Sequence, residues 1–270
     1  NISPVVTLSG ANVLDEGDLY TLTLSDVFDP GDDTVTQILV DWGDNTPVDT
    51  LSAGTTLAPH TYFDSDNDHT IEVTLIDEDG SHVQADTITV QVNDLPPEIA
   101  LTTSSATVNE GSSLTLNLGA LTDPGNDPIP PLAGYRVNWG DGQVQDFVSA
   151  GDKTHVYQEG PFSHTITVDL LLAPSGTIDG VGTASVDVLN VAPDFEAGPD
   201  ETLLPIVLGS FNRTFPFTDP GSIDTWTGTV DYGDGTVEPL DIDPVNKTIS
   251  LNHTYTVGGD FTVSVTLRDD

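Results

Sequence analysis

Val40-Asp41-Trp42-Gly43-Asp44 is the stretch that decides the fold, because it recurs. It returns as Val137-Asn138-Trp139-Gly140-Asp141-Gly142 and as Val230-Asp231-Tyr232-Gly233-Asp234-Gly235, so the aromatic positions are spaced by 97 and 93 residues. Each copy is followed by His-x-Tyr: His60-Thr61-Tyr62, His155-Val156-Tyr157 and His253-Thr254-Tyr255. A fixed order of motifs at this period means one module repeated three times. With 270 residues, each copy has about 90, the size of a small independent domain. The period-two strands ending at Val92 and Val188, each followed by a short Pro-bearing junction, place the modules at 1–94, 95–191 and 192–270. Asn93-Asp94-Leu95-Pro96-Pro97 and Asn190-Val191-Ala192-Pro193 are too short and too Pro-rich to be flexible tethers, so a stiff row is expected.

Within each copy the apolar residues alternate with polar ones. Tyr20, Leu22 and Leu24 alternate with two threonines and a serine, Ile71, Val73 and Leu75 with Thr70, Glu72 and Thr74, and the pattern returns at Leu114–Leu118, Ile166–Leu170 and Phe261–Leu267. Period two with one polar face is the mark of half-buried antiparallel strands. The reading is all-β: three tandem immunoglobulin-like β-sandwiches with no helix of ordinary length. Val265-Thr266-Leu267-Arg268-Asp269-Asp270 aligns with Val73 to Glu78, after which the first copy continues for one more strand, so the third copy lacks its final strand. Either the chain simply stops at a boundary there, or a neighbouring chain supplies the strand. The chain opens without a basic-then-apolar signal segment, which is read as a mature or excised piece of something longer.

Composition limits the partners. Five Lys and Arg stand against 44 Asp and Glu, a formal charge of −39. Such a surface repels nucleic acid and anionic membranes, and it repels itself unless cations gather on it. Cys is absent, so no disulfide supports these small cores. No apolar run approaches the ~20 residues a spanning helix needs, so membrane insertion is not expected.

The motifs divide into structural and ligand-binding candidates. Trp42, Trp139 and Tyr232 are expected to plug the cores, the Tyr of His-x-Tyr to bond backbone at a corner, and His60, His155 and His253 to make a structural hydrogen bond. His69, His82 and His164 fall outside the repeat and receive no role. The acids cluster at loops. One loop carries Asp29, Asp32 and Asp33, with counterparts Asp123 and Asp127 in the second copy and Asp219 and Asp224 in the third. A strand end carries Asp77 and Asp79, matched by Asp269. Glu16 precedes Gly17 as Glu110 precedes Gly111, and Asn1, Asn93 and Asn190 open the modules. Calcium takes six to eight oxygens from carboxylates, amides and carbonyls at flexible angles, which short acidic loops meeting at one sandwich end supply. The competing reading is that Asp-Pro-Gly is good turn chemistry. The second copy has Ala173-Pro174-Ser175-Gly176 where the acidic strand end should be. EF-hand, zinc, Walker A, dinucleotide and nucleophile-elbow patterns are missing, and no site breaks the repeat, so the chain is read as non-enzymatic. Asn-x-Ser/Thr occurs at Asn1, Asn212, Asn246 and Asn252.

Asp-Pro-Gly, then Asp-Trp-Gly-Asp-Gly, then His-Thr-Tyr, then the Val-Thr-Leu-x-Asp strand end resembles the polycystic-kidney-disease (PKD) repeat, and Ala192 to Asp200 is similar to that family's opening. The resemblance spans the chain. It implies an extracellular immunoglobulin-like module of adhesins, surface-layer proteins or secreted hydrolases, with calcium held in some members by the opening Asn, the loop matching Asp29 to Asp33 and the strand end matching Asp77 to Asp79. The junction Val92 to Pro97 is also similar to cadherin linkers, where calcium stiffens the joint. The expected role is a calcium-stiffened stalk at the cell surface, with neighbouring modules as its partners. Two alternatives stay open: accessory modules of a secreted enzyme that bind glycan or protein, and a surface-layer or filament subunit assembled from identical chains by strand donation.

Overall fold

A computed structural model describes residues 2–30, 34–63, 67–125, 129–203 and 209–270. All regular structure among them is strand. The first repeat comprises β1 (Val5–Ser9), β2 (Val13–Asp15), β3 (Leu19–Phe28), β4 (Gln37–Asp41), β5 (Asp49–Ser52), β6 (Leu57–Thr61), β7 (Asn67–Ile76) and β8 (Ser81–Asn93). They form a three-stranded sheet, β1-β3-β6, and a five-stranded sheet, β2-β8-β7-β4-β5. Sequence neighbours thus divide between two sheets, the Greek-key arrangement of an immunoglobulin-like sandwich. The short β2 runs parallel to β8, pairing Val13 with Gln91 and Asp15 with Asn93, and so delivers Glu16 to the end of the sandwich.

The second repeat repeats this plan with β9 (Glu98–Thr103), β10 (Thr107–Asn109), β11 (Ser113–Thr122), β12 (Leu132–Asn138), β13 (Val144–Phe147), β14 (Gly151–Val156), β15 (Phe162–Leu172) and β16 (Thr177–Leu189). Its sheets are β14-β11-β9 and β10-β16-β15-β12-β13. The third has β17 (Asp194–Phe195), β18 (Gly209–Thr218), β19 (Thr227–Asp231), β20 (Val237–Pro239), β21 (Asp241–Asp243), β22 (Thr248–Tyr255) and β23 (Ser264–Arg268), in sheets β17-β18-β22-β21 and β20-β19-β23. Among the described residues nothing in the third repeat takes the place that β8 holds beside β7. The tandem immunoglobulin-like fold expected from the period-two pattern is therefore the fold observed.

Alternation is what sorts the residues, since successive strand side chains face opposite ways. Tyr20, Leu22 and Leu24 of β3 face Ile71, Val73 and Leu75 of β7 across a core that includes Ile38, Val40, Trp42 and Tyr62. In the third repeat Phe211, Phe215, Phe217, Val230, Tyr232, Ile249 and Leu251 do the same. Burying each such side chain contributes about 1.5–3 kcal/mol. The motif Gly is required by geometry: Gly43 has φ +75°, and a Cβ there would stand 2.5 Å from the Thr70 carbonyl oxygen. The preceding side chain closes this turn, Asp41 Oδ1 accepting from the Gly43 N–H at 3.0 Å, as Asn138 does for Gly140 and Asp231 for Gly233.

Two compact units emerge, one of residues 1–99, 120–133 and 170–181, the other of 100–119, 134–169 and 182–270. The first unit includes part of the second repeat because the Asp123-Pro124-Gly125 turn packs on Glu16 and Gly17. No helix among the described residues is long and apolar enough to cross a membrane.

Candidate metal centre

The recurrent motifs brace each sandwich end. His60 stacks on Trp42 (centroids 4.5 Å, planes 7° apart), His155 on Trp139 (4.6 Å, 7°) and His253 on Tyr232 (4.2 Å, 13°). Each imidazole Nε2 lies 2.7–2.8 Å from the motif Asp: Asp44, Asp141 or Asp234. Each corner Tyr donates to the carbonyl of the motif aromatic, Tyr62 to Trp42 at 3.1 Å, Tyr157 to Trp139 at 2.9 Å and Tyr255 to Tyr232 at 2.9 Å. Burial, with the nearby motif Asp, pushes the Tyr62 and Tyr157 hydroxyls far above the usual phenol value. Two of the histidines set aside as non-recurrent do recur. His69 and His164 each stand seven residues after the corner Tyr, stack on it at 4.7 Å, and contact the Gly43 or Gly140 carbonyl at 3.2 Å. Phe261 stacks on Tyr255 in the same way at 4.5 Å.

Acidic side chains converge in the second unit, next to the braced end of the second repeat. Oxygens of Glu110, Asp219, Asp224 and Asp269 lie within 4.8 Å of one another. Glu110 follows β10, is fully buried, and is fixed by two backbone N–H groups, from Val191 to Oε1 and from Gly160 to Oε2, both at 2.7 Å. Asp219 follows β18. Its Oδ1 accepts from the Gly221 N–H at 2.9 Å and its Oδ2 from the Trp226 indole at 2.7 Å. Lys247 braces the same loop from outside, donating to the carbonyls of Asp219 (2.9 Å) and Gly221 (3.1 Å) while lying 4.8 Å from the Trp226 ring centre. Asp269 follows β23 and accepts from the Asn190 amide at 3.1 Å.

Asp224 is the exceptional member. It is 6% exposed, and neither carboxylate oxygen has a hydrogen-bond partner among the described residues. Buried Asn190 Oδ1 and Asp269 Oδ2 also lack one. Burial, then Asp219, then the charges of Glu110 and Glu159 push the Asp224 carboxyl up to about 7. Two like charges about 4 Å apart repel by roughly 4 kcal/mol at an effective dielectric of ~20. The four carboxylates therefore hold together fully ionised only around a cation. Every donor is oxygen, the set that hard divalent ions take.

Of the residues singled out in the sequence, Glu110, Asn190, Asp219, Asp224 and Asp269 meet here. Asn1, Asp32, Asp33 and Asp127 lie outside the described residues. In the first unit Glu16 is buried, with Oε1 accepting from the Leu95 N–H at 2.9 Å and Oε2 without a partner among the described residues. It abuts Gly125, near Asp123, whose Oδ1 is also buried and without a partner among the described residues. Glu16 and Glu110 thus do the same work at successive junctions. Asn93 does not match Asn190. The Glu16 N–H donates to the Asn93 carbonyl and that of Glu110 to Leu189, so the register aligns Asn190 with Asp94. The Asn93 amide turns back to Asp15 at 2.9 Å, while Asp94 lines a cleft with Asp123. Asp29 is half-buried and Asp79 exposed. Asp77 is buried, but its Oδ1 takes the Asp79 and Gly80 N–H groups and its Oδ2 takes His82, unlike Asp269. Glu78 grips Thr34 with both oxygens (2.8 and 2.6 Å), as Asp270 takes the Thr225 N–H at 2.9 Å. Glu159, not singled out in the sequence, lies beside Asp224 and Asp270. The available signal was an acid two residues after the corner Tyr, present as Asp64 in the first copy and Glu159 in the second.

No family model matches the sequence, and no curated protein matches it. Among solved structures, the chain is similar to the fibronectin(III)-like modules of Clostridium thermocellum CbhA, at 15% identity and TM-score 0.26, covering 68% of this chain and 93% of that one. It is also similar to the FN1–FN3 domains of chicken CNTN1, at 10% identity and TM-score 0.25, covering 98% and 92%.

Proposed function

We propose that this chain is a non-catalytic spacer of PKD type from an extracellular or cell-surface protein, and that calcium stiffens the junction between its second and third repeats. The observation that carries the reading is the convergence of Glu110, Asp219, Asp224 and Asp269, with both Asp224 oxygens buried and without donors among the described residues. Glu110 belongs to the second repeat, Asn190 to the junction, and the three Asp to the third repeat. A cation bound by all of them opposes bending at that joint, and it neutralises charge on a chain of −39. A terbium titration tests this directly, because Trp226 bonds the candidate ligand Asp219 and its indole sensitises a lanthanide at the site. Saturable sensitised emission, displaced by calcium, is expected; emission that calcium does not displace would remove the reading.

A second reading, a glycan-binding accessory, has one observation in its favour. Asp141, Gln143, Gln158, Glu159, Phe162 and His164 help line an open cleft of about 620 Å³ in the second unit, and Phe162 is 54% exposed. An exposed ring beside amides and carboxylates suits a sugar face. Retention on insoluble polysaccharides that is lost in Phe162→Ala would favour it over the spacer.

A further inference from the structure

Asp224 belongs to two carboxylate groups at once. Besides its contact with Glu110, Asp219 and Asp269, it shares a second cluster with Glu159 and Asp270, whose oxygens also lie within 4.8 Å of one another. We propose that this junction binds two divalent cations, bridged by the Asp224 carboxylate: one inside the Glu110–Asp219–Asp224–Asp269 set, and a second between Asp224, Glu159 and Asp270. The proposal rests on the calcium reading above and extends it to a second ion.

A bridging carboxylate uses both of its oxygens, and Asp224 has both to offer, buried and without a donor among the described residues. Charge points the same way. Six carboxylates around one divalent ion leave four negative charges close together in a half-buried space, whereas two ions leave two. The walls of the second position are in place. Gln158, adjacent to Glu159, accepts from the Ser222 N–H at 3.2 Å and bonds its hydroxyl at 2.5 Å, and the Asp270 carbonyl accepts from Asn190 at 3.1 Å. The two positions differ in exposure. Glu110 is fully buried, whereas Asp270 is exposed, so the second ion keeps more water and binds more weakly.

Counting by difference discounts ions held elsewhere on so acidic a chain. Metal-stripped wild type, Asp224→Ala and Glu159→Gln are titrated with calcium by calorimetry and counted by native mass spectrometry, with near-ultraviolet circular dichroism confirming that each is folded. Asp224→Ala is expected to lose two ions and Glu159→Gln one, the tighter site of the latter keeping its affinity within about threefold. Asp224→Ala losing a single ion, or Glu159→Gln losing none, overturns the two-ion site and leaves the single-ion reading standing. Asp224→Ala losing none removes the calcium reading itself.

Discussion

Replacing Asp224 by Asn should stabilise the protein in chelator and destabilise it in calcium relative to wild type. In chelator, the carboxyl titrates near 7, raised by burial and by Asp219, Glu110 and Glu159. A carboxyl raised above its unfolded value favours the fold while protonated. That contribution is complete below the unfolded value near 4 and is lost as pH rises through 7. Holding the charge above pH 7 then costs about 4 kcal/mol at most, and less where the proton is shared with coupled Asp219. Asn removes the charge at nearly constant volume, but it buries an amide that needs partners, an opposing cost of about 1–3 kcal/mol. The balance is a gain of about 1–2 kcal/mol, or roughly 5–15 °C if one repeat of about 90 residues melts by itself. Calcium reverses the order. A ligand at one hundred times its Kd stabilises wild type by about 2.7 kcal/mol, and the variant, with one carboxylate fewer, gains much less. Scanning calorimetry of both proteins in chelator and in millimolar calcium, just above neutral pH, reads all four transitions. A variant that melts below wild type in chelator, or responds to calcium as wild type does, would refute the reasoning.

Other expectations follow from the same geometry. Asp234 is held low by the His253 hydrogen bond against burial; in Asp44 and Asp77 burial is outweighed by bonds from Thr46 and His60, and from Asp79, His82 and Gly80. Depressed carboxyls stabilise above their unfolded value near 4 and cease to as pH falls through the folded values, so melting temperature in chelator should drop steeply below about pH 4; a flat profile there would count against the braces. Gly125→Ala should lower stability by about 1–3 kcal/mol in urea unfolding, because a Cβ would enter the space of the Glu16 carboxylate. Lys247→Met keeps the stem over Trp226 but loses the bonds to Asp219 and Gly221, and should weaken calcium about tenfold, the effect of about 1.4 kcal/mol. Unchanged affinity would show that the loop needs no such brace.

How far the sequence could be read depended on what each feature required. The sandwich was legible because period two and the Trp-Gly-Asp and His-x-Tyr motifs are local signals that repeat. The centre was legible in part: Glu110, Asn190, Asp219, Asp224 and Asp269 stood out as acids or amides at matching turns. Their meeting could not be read locally, because the facing ends of two successive repeats bring them together. The Asn93 mismatch is a one-residue register effect, in which a slip of one position sends the side chain to the other face. Asp77 looked equivalent to Asp269, yet His82 and the turn N–H groups take its oxygens, and no local pattern announces that competition. His69 and His164 were missed because the six residues between each of them and its corner Tyr differ in composition.

Stiffening of the second junction is the central claim, and the absence of Cys makes it directly measurable. Spin labels on cysteines introduced at Val148 and Val245, which are 90% and 89% exposed in the second and third repeats, report the distance distribution across the joint by pulsed electron resonance. A broad distribution in chelator that narrows around one distance in calcium is the predicted result. Distributions that are equally wide in both conditions would contradict it.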